Sequence, residues 1–118
     1  MSRFGKEVNN MIKIRKYNFF GPYLLLDFEG IDRAAIYAIL CKNEIFGKYQ
    51  VIYIGQSGEL GERLEFHNKR KCWEEKCGGK NLYVAVFYTP TDQYSKEERL
   101  KIENELINFY EPVCNEKK

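Results

Sequence analysis

Residues 51–67 read VIYIGQSGELGERLEFH, and the fold turns on how this stretch divides. Val51-Ile52-Tyr53-Ile54 is a β-branched and aromatic run. Gly55 stops it, Gln56-Ser57-Gly58 turns the chain, and a helix carrying Leu60, Arg63, Leu64 and His67 is expected beyond. The pattern is a strand that delivers its last side chains to a helix start. On that helix Arg63 and His67 stand four apart and share a face, beside the Leu60/Leu64 pair that must meet the core. A cation and an imidazole therefore border a buried seam, although a solvated rim accounts for the pair equally well from helix position alone.

Upstream, residues 34–41 (AAIYAILC) suit either a helix or a buried strand. Downstream, 68–77 continues as a helical piece with Trp73 docked inward, ending at Gly78-Gly79. Residues 82–88 (LYVAVFY) form an almost continuous apolar run, the mark of a strand covered on both faces. The last helix is the best delimited. Ser95 and Glu98 make a capping box, and Pro112 stops the helix near Tyr110. Leu100, Leu106, Ile107 and Tyr110 form its expected buried stripe, and Glu103 falls inside that stripe. A lone carboxylate facing a core costs free energy unless it is paired or bound to metal. Glu105 falls at another angle, where Lys101 four positions earlier offers a surface pair.

Taken together these segments resemble the GIY-YIG nuclease family over residues 33–115. Tyr53-Ile54-Gly55 stands intact, Arg63 follows the glycine by eight positions, and His67 follows the arginine by four. Glu103 precedes a pair of apolar residues, with Pro112 nine and Asn115 twelve positions after it. Two features depart from the pattern: Ala35 stands where the family usually has glycine, and the gap between Tyr37 and Tyr53 is long, with Gly47 at the bend of an extended hairpin loop. The resemblance implies an α+β domain, a three-stranded antiparallel sheet flanked by helices, over 31–118. Residues 1–30 are then a basic and aromatic N-terminal extension packed on or preceding it. It also makes 34–41 the first strand of a hairpin with 49–55. Alternation then places Ala35, Tyr37 and Ile39 on one face and Val51, Tyr53 and Gly55 on the matching face, so that the two tyrosines are neighbours. Tyr23 to Phe28 is read as extended, an added strand or cover.

By the same resemblance the site is Tyr37, Tyr53, Arg63, His67, Glu103 and Asn115, and the activity is metal-dependent endonucleolytic hydrolysis of phosphodiesters, in DNA rather than RNA. Glu103 is expected to hold one divalent cation, Mg2+ or Mn2+, since a single carboxylate with waters suits a hard ion and not zinc. Arg63 is expected to clamp the non-bridging phosphate oxygens. Tyr37 orients or deprotonates the water; a free tyrosine titrates near pH 10, so His67 is the alternative base. Tyr53 and Asn115 hold the site and the phosphate. A different class of reading is a non-catalytic nucleic-acid or partner-binding module on the same scaffold, which would bind without metal and be indifferent to Glu103→Ala.

Composition sets bounds on these readings. The 118 residues suit one domain, 44% hydrophobic and 31% charged, without an apolar run of membrane-spanning length or a signal-peptide pattern, so the expected location is the cytoplasm. The four cysteines match no paired zinc-ligand spacing beside a single histidine and are read as reduced. Net charge is +2, yet the first 16 residues carry five cations against Glu7, an excess of 5 − 1 = +4. A second basic group, Lys69, Arg70, Lys71 and Lys76 with Lys80 beyond, follows His67 and is expected to contact nucleic acid. With three residues after Asn115, sharp specificity is expected to come from a protein partner, a homodimer or the amino-terminal segment.

Overall fold

The structure is a computed structural model and describes residues 10–28, 33–43, 45–58 and 68–115. Five strands, β1 Met11–Ile14, β2 Tyr17–Leu24, β3 Ala35–Asn43, β4 Lys48–Ser57 and β5 Leu82–Tyr88, form one sheet in the order β1-β2-β5-β3-β4. Every neighbouring pair is antiparallel. A single 3-10 turn, Leu25–Asp27, follows β2, and two helices, α1 Arg70–Cys77 and α2 Lys96–Tyr110, complete the described elements. The helix expected over residues 60–67 lies outside the described residues, and so do Arg63 and His67.

β3 and β5 are the centre, which is why their letters read as apolar without a polar face. Odd positions of β3, Ala35, Tyr37 and Ile39, pack with Tyr53, Val84, Val86, Trp73 of α1 and Cys114. Even positions, Ile36, Ala38 and Leu40, pack with Ile54, Ala85 and Leu106 of α2. Helices on both faces leave the centre of the sheet dry, as the run 82–88 demands. α1 ends on Gly78 in the left-handed conformation, and α2 starts with the Ser95/Glu98 capping box and stops at Glu111.

Several expectations change. The sheet has five strands and not three, because residues 11–24 supply β1 and β2. Their alternation is short: Ile14 and Phe19 are buried, and Gly21-Pro22 breaks the pairing of β2 with β5 between Phe20 and Tyr23. Tyr23 to Phe28 is not one extended piece, since β2 ends at Leu24 and the 3-10 turn follows. Val51 does not share the face of Tyr53. A bulge shifts the register between Ile39↔Tyr53 and Leu40↔Val51, leaving Ile52 as the extra residue and turning Val51 to the α2 side.

On α2 the first turn buries Arg99, not Leu100, which is half-buried. Glu105 pairs not with Lys101 but with the β1–β2 hairpin: Arg15 Nε donates to it at 3.1 Å, Tyr17 Oη at 2.7 Å, and Lys16 Nζ lies at 3.6 Å. The cysteines are not reduced. Cys41–Cys77 joins β3 to the end of α1, and Cys72–Cys114 joins α1 to the turn after α2. Their sequence separations of 36 and 42 residues hid the pairing, because nothing local marks a bridge between distant elements.

Candidate active site

Gly55 has no room for a side chain. A Cβ built there would lie 2.5 Å from both Cζ and Oη of Tyr37 and 2.9 Å from Cε2 of Tyr53. The register explains the crowding: Gly55 is the direct partner of Tyr37, so the phenol leans across the glycine and lies over it. Tyr53, two residues back on β4, sets its ring 6.1 Å from that of Tyr37 and 5.4 Å from the indole of Trp73. Three aromatics thus fill the α1 face of the β3–β4 hairpin, with Tyr37 fully buried. Ala35, the departure from the usual glycine, has its methyl buried in the same cluster opposite Ser57, so the sheet accommodates it.

Asn115 lies beside this hairpin. β4 is an edge strand, and its free backbone groups are met by the turn after α2. The Asn115 Nδ2 donates to Ile54 O at 2.8 Å, Ile54 N donates to Asn115 Oδ1 at 2.9 Å, and Cys114 N donates to Ile52 O at 2.9 Å. The amide side chain thereby adds one more rung to the sheet edge and fixes the residue next to Gly55.

Glu103 is half-buried on α2, on the stripe that also carries Arg99 and Leu106. Arg99, one turn earlier, is 7% exposed, and its Nε donates to Oε1 of Gln56 at 2.8 Å. Gln56 directly follows Gly55, so α2 is anchored to the end of β4 where the Tyr37 phenol lies. Among the described residues Arg99 has no carboxylate within ion-pair distance. Thr89, at the same end of the sheet, is fully buried; its N–H donates to Ala34 O at 2.9 Å, while its Oγ1 has no partner among the described residues. Sequence reading passed over Arg99, although the signal existed: it sits four before Glu103 and seven before Leu106, on the core-facing helical period.

The structure thus places Tyr37 and Tyr53 on one hairpin, clamps Asn115 to its edge, and ties the helix of Glu103 to the same strand end. Of the expected nucleic-acid contacts, Lys69 precedes α1, Arg70 and Lys71 form its first turn and Lys76 its last. Among the described residues no three His, Cys, Asp or Glu side chains cluster as a metal-ligand set.

An antiparallel sheet with a helix on each face and its Tyr-Ile-Gly strand at the edge is the fold of a GIY-YIG nuclease domain. A solved structure it is similar to is the GIY-YIG N-terminal endonuclease domain of UvrC from Thermotoga maritima, a point mutant bound to its catalytic divalent cation. The two agree with a TM-score of 0.52 at 20% identity, over 75% of this chain and 88% of that one. No protein-family model and no curated protein matches the sequence. At that identity the likeness establishes the fold, and the part each side chain plays rests on its own geometry.

Proposed function

We propose that the chain is a metal-dependent endonuclease acting on DNA, with Tyr37, Tyr53, Arg63, His67, Glu103 and Asn115 as its working residues. The observation that supports it best is the phenol of Tyr37 lying across Gly55. The glycine lets the Tyr37 ring, whose Cζ and Oη would both lie 2.5 Å from a Cβ there, keep one orientation over β4, and that orientation fixes where the hydroxyl sits. In this reading the Tyr37 Oη holds the attacking water and takes its proton, or passes it to His67. Tyr53 fixes the Tyr37 ring, and Asn115 fixes the strand beneath both. Arg63 neutralises the non-bridging oxygens through its planar fork.

The donor set fits a hard divalent cation. One half-buried carboxylate, Glu103, leaves the remaining positions to water and phosphate, as Mg2+ or Mn2+ accepts and zinc does not. When bound, the cation supplies positive charge to the phosphoryl oxygen and the leaving oxygen. Lys69, Arg70 and Lys71 crowd cations at the start of α1, where the helix dipole already disfavours them. In this reading their side chains meet phosphates. Specificity beyond backbone contacts is assigned to a partner or a second copy of the chain.

The test is cleavage of supercoiled plasmid, branched DNA and single strands with Mg2+, Mn2+ or EDTA, comparing wild type with Glu103→Ala and Arg63→Ala. Nicking that needs metal and falls by about 10²–10³ in the folded Arg63→Ala variant supports the enzyme. Metal-independent binding that is equal in all three proteins, without cleavage, leaves a binding module.

A further inference from the structure

The long gap between Tyr37 and Tyr53 forms a hairpin turn whose side chains are exposed while its backbone is tied by hydrogen bonds. Ile45 is 86% and Phe46 73% exposed. Yet the backbone N–H groups of both donate to Asn43 Oδ1, at 2.9 and 3.1 Å. Gly47 closes the turn with a left-handed φ of 68° and a 2.7 Å bond from its N–H to Asn43 O. Apolar side chains presented on a fixed turn are a contact surface, since burying them would gain free energy that the isolated domain forgoes.

Beside the tip runs a groove of about 320 Å3 between the β3–β4 hairpin and the end of α1. Lys42 and Lys48 line it from the hairpin, Lys76 and Lys80 from the helix side, and the Cys41–Cys77 disulfide ties the two walls. Among the described residues no Asp or Glu lines it; Glu44 lies outside them. Tyr49, the aromatic in the groove, offers no open platform to a base: the Lys42 ammonium lies 5.7 Å over its ring and Tyr83 packs edge-on at 5.2 Å. The chemistry of the groove is therefore that of a polyanion backbone and not of stacked single-strand bases. Its position is equally specific. Asn43 is six residues along β3 from Tyr37 and on the same face, which at strand rise is about 20 Å, or about six base pairs of duplex.

We propose that this groove binds the phosphate backbone of a nucleic-acid duplex about six base pairs to one side of the cleaved bond, with Ile45 and Phe46 pressed into the minor groove. The inference rests on the nuclease reading for what lies at Tyr37, but the binding surface itself does not. A duplex contact there supplies affinity and sets which arm of a substrate must be double-stranded, without reading sequence.

The experiment is fluorescence anisotropy with labelled duplexes whose arm is lengthened stepwise on one side, over a salt series, for wild type, Lys48→Ala/Lys80→Ala, Lys48→Arg/Lys80→Arg and Ile45→Ser/Phe46→Ser. All four positions are exposed, and thermal melting confirms folding. Wild-type affinity is expected to step up once the arm passes about six base pairs. The alanine pair is expected to lose about tenfold in affinity and about two units of the log–log salt slope, with the arginine pair restoring both. The serine pair is expected to weaken binding severalfold without changing the slope. An alanine pair with wild-type affinity and slope overturns the proposal, as does single-stranded DNA that binds as tightly as duplex and loses as much with the same substitutions. Plasmid cleavage by the same wild-type preparation separates the two readings. Lysine-dependent duplex binding without cleavage sinks the nuclease and keeps the groove; cleavage with an indifferent alanine pair does the reverse.

Discussion

At the scale of single residues, the two positions that flank the end of the Tyr-Ile-Gly strand make opposite demands. Gly55 must stay without a side chain, because a methyl 2.5 Å from the Tyr37 ring has to push that ring off its place. Gly55→Ala is expected to cost about 1–3 kcal/mol by overpacking and to reduce cleavage more than melting temperature, measured by denaturant unfolding beside plasmid nicking. A variant that is as stable and as active as wild type would mean the phenol does not need to cross the glycine. Gln56 carries a second demand, since its carbonyl is the described partner of a guanidinium that is 7% exposed. Removing Gln56 strands a buried charge, whereas removing Arg99 removes the charge with it. Gln56→Leu is therefore expected to destabilise by about 2–3 kcal/mol and Arg99→Met by less than about 1 kcal/mol. Equal losses in a double-mutant cycle would refute that asymmetry. Thr89→Val should stabilise by about 1 kcal/mol, since it deletes a buried hydroxyl without a partner among the described residues; a loss on thermal melting would point to a partner for that hydroxyl.

Between elements, the β1–β2 hairpin meets α2 through polar contacts as well as the packing of Ile14 and Phe19 with Leu106. Tyr17 Oη and Arg15 Nε both meet the Glu105 carboxylate, the Arg15 guanidinium lies 4.3 Å over Phe109, and Arg15 N donates to Tyr110 Oη at 2.6 Å. The Tyr17 hydrogen bond, with Lys16 and Arg15 beside it, holds the Glu105 carboxyl below the usual carboxylate range. A lowered carboxylate pKa stabilises above the unfolded value and is lost as pH falls through the folded one. Tyr17 goes the other way: burial and the Glu105 bond push its phenol up to about 12. Its contribution is complete below pH 10 and is lost as pH rises toward 12. The hairpin should thus loosen at both extremes, and Glu105→Gln should flatten the acid limb, read by hydrogen exchange of β1 amides against pH. Indifference of those amides to the substitution would show that packing alone docks the hairpin. This docking was not legible in the sequence. Lys13, Arg15 and Lys16 between short apolar alternations read as a basic tail, and Glu105 had a nearer candidate in Lys101. By contrast β5 was legible from its long apolar run and α2 because its capping box and Pro112 mark both ends; β4 was legible in its Val51-Ile54 core, while the letters of β3 suited helix or strand and became a strand only through the resemblance. Tyr37, Tyr53 and Asn115 were picked out only through the resemblance, and Glu103 also through the helical period. The Arg99–Gln56 tie could not be read, since a basic residue on a helix is ordinarily solvated.

Over the whole molecule, α1 is the element whose attachment most affects the shape of the site. It is eight residues long, too short to persist as an isolated helix, and Trp73 and Cys77 are its buried residues. Two disulfides supplement that contact, one to β3 and one to the turn that carries Asn115. In the chain-entropy account, closing loops of 36 and 42 residues constrains the unfolded chain by about 3–4 kcal/mol each, against a total stability of about 5–15 kcal/mol for an ordinary domain. Reduction is therefore expected to cost a large share of stability, and to act on two places at once: the walls of the lysine groove, through Cys41–Cys77, and the Asn115 clamp on Ile54, through Cys72–Cys114. The single pairs separate these effects. Cys41→Ser/Cys77→Ser should weaken duplex binding before it affects chemistry, and Cys72→Ser/Cys114→Ser should lower turnover at saturating duplex, because the strand beneath Tyr37 and Tyr53 loses its edge support. Melting and cleavage with and without dithiothreitol, in wild type and both pairs, decide the matter. If reduced wild type melts and cuts as the oxidised protein does, the bridges are dispensable, and the packing of Trp73 between β4 and β5 alone holds α1 over the site.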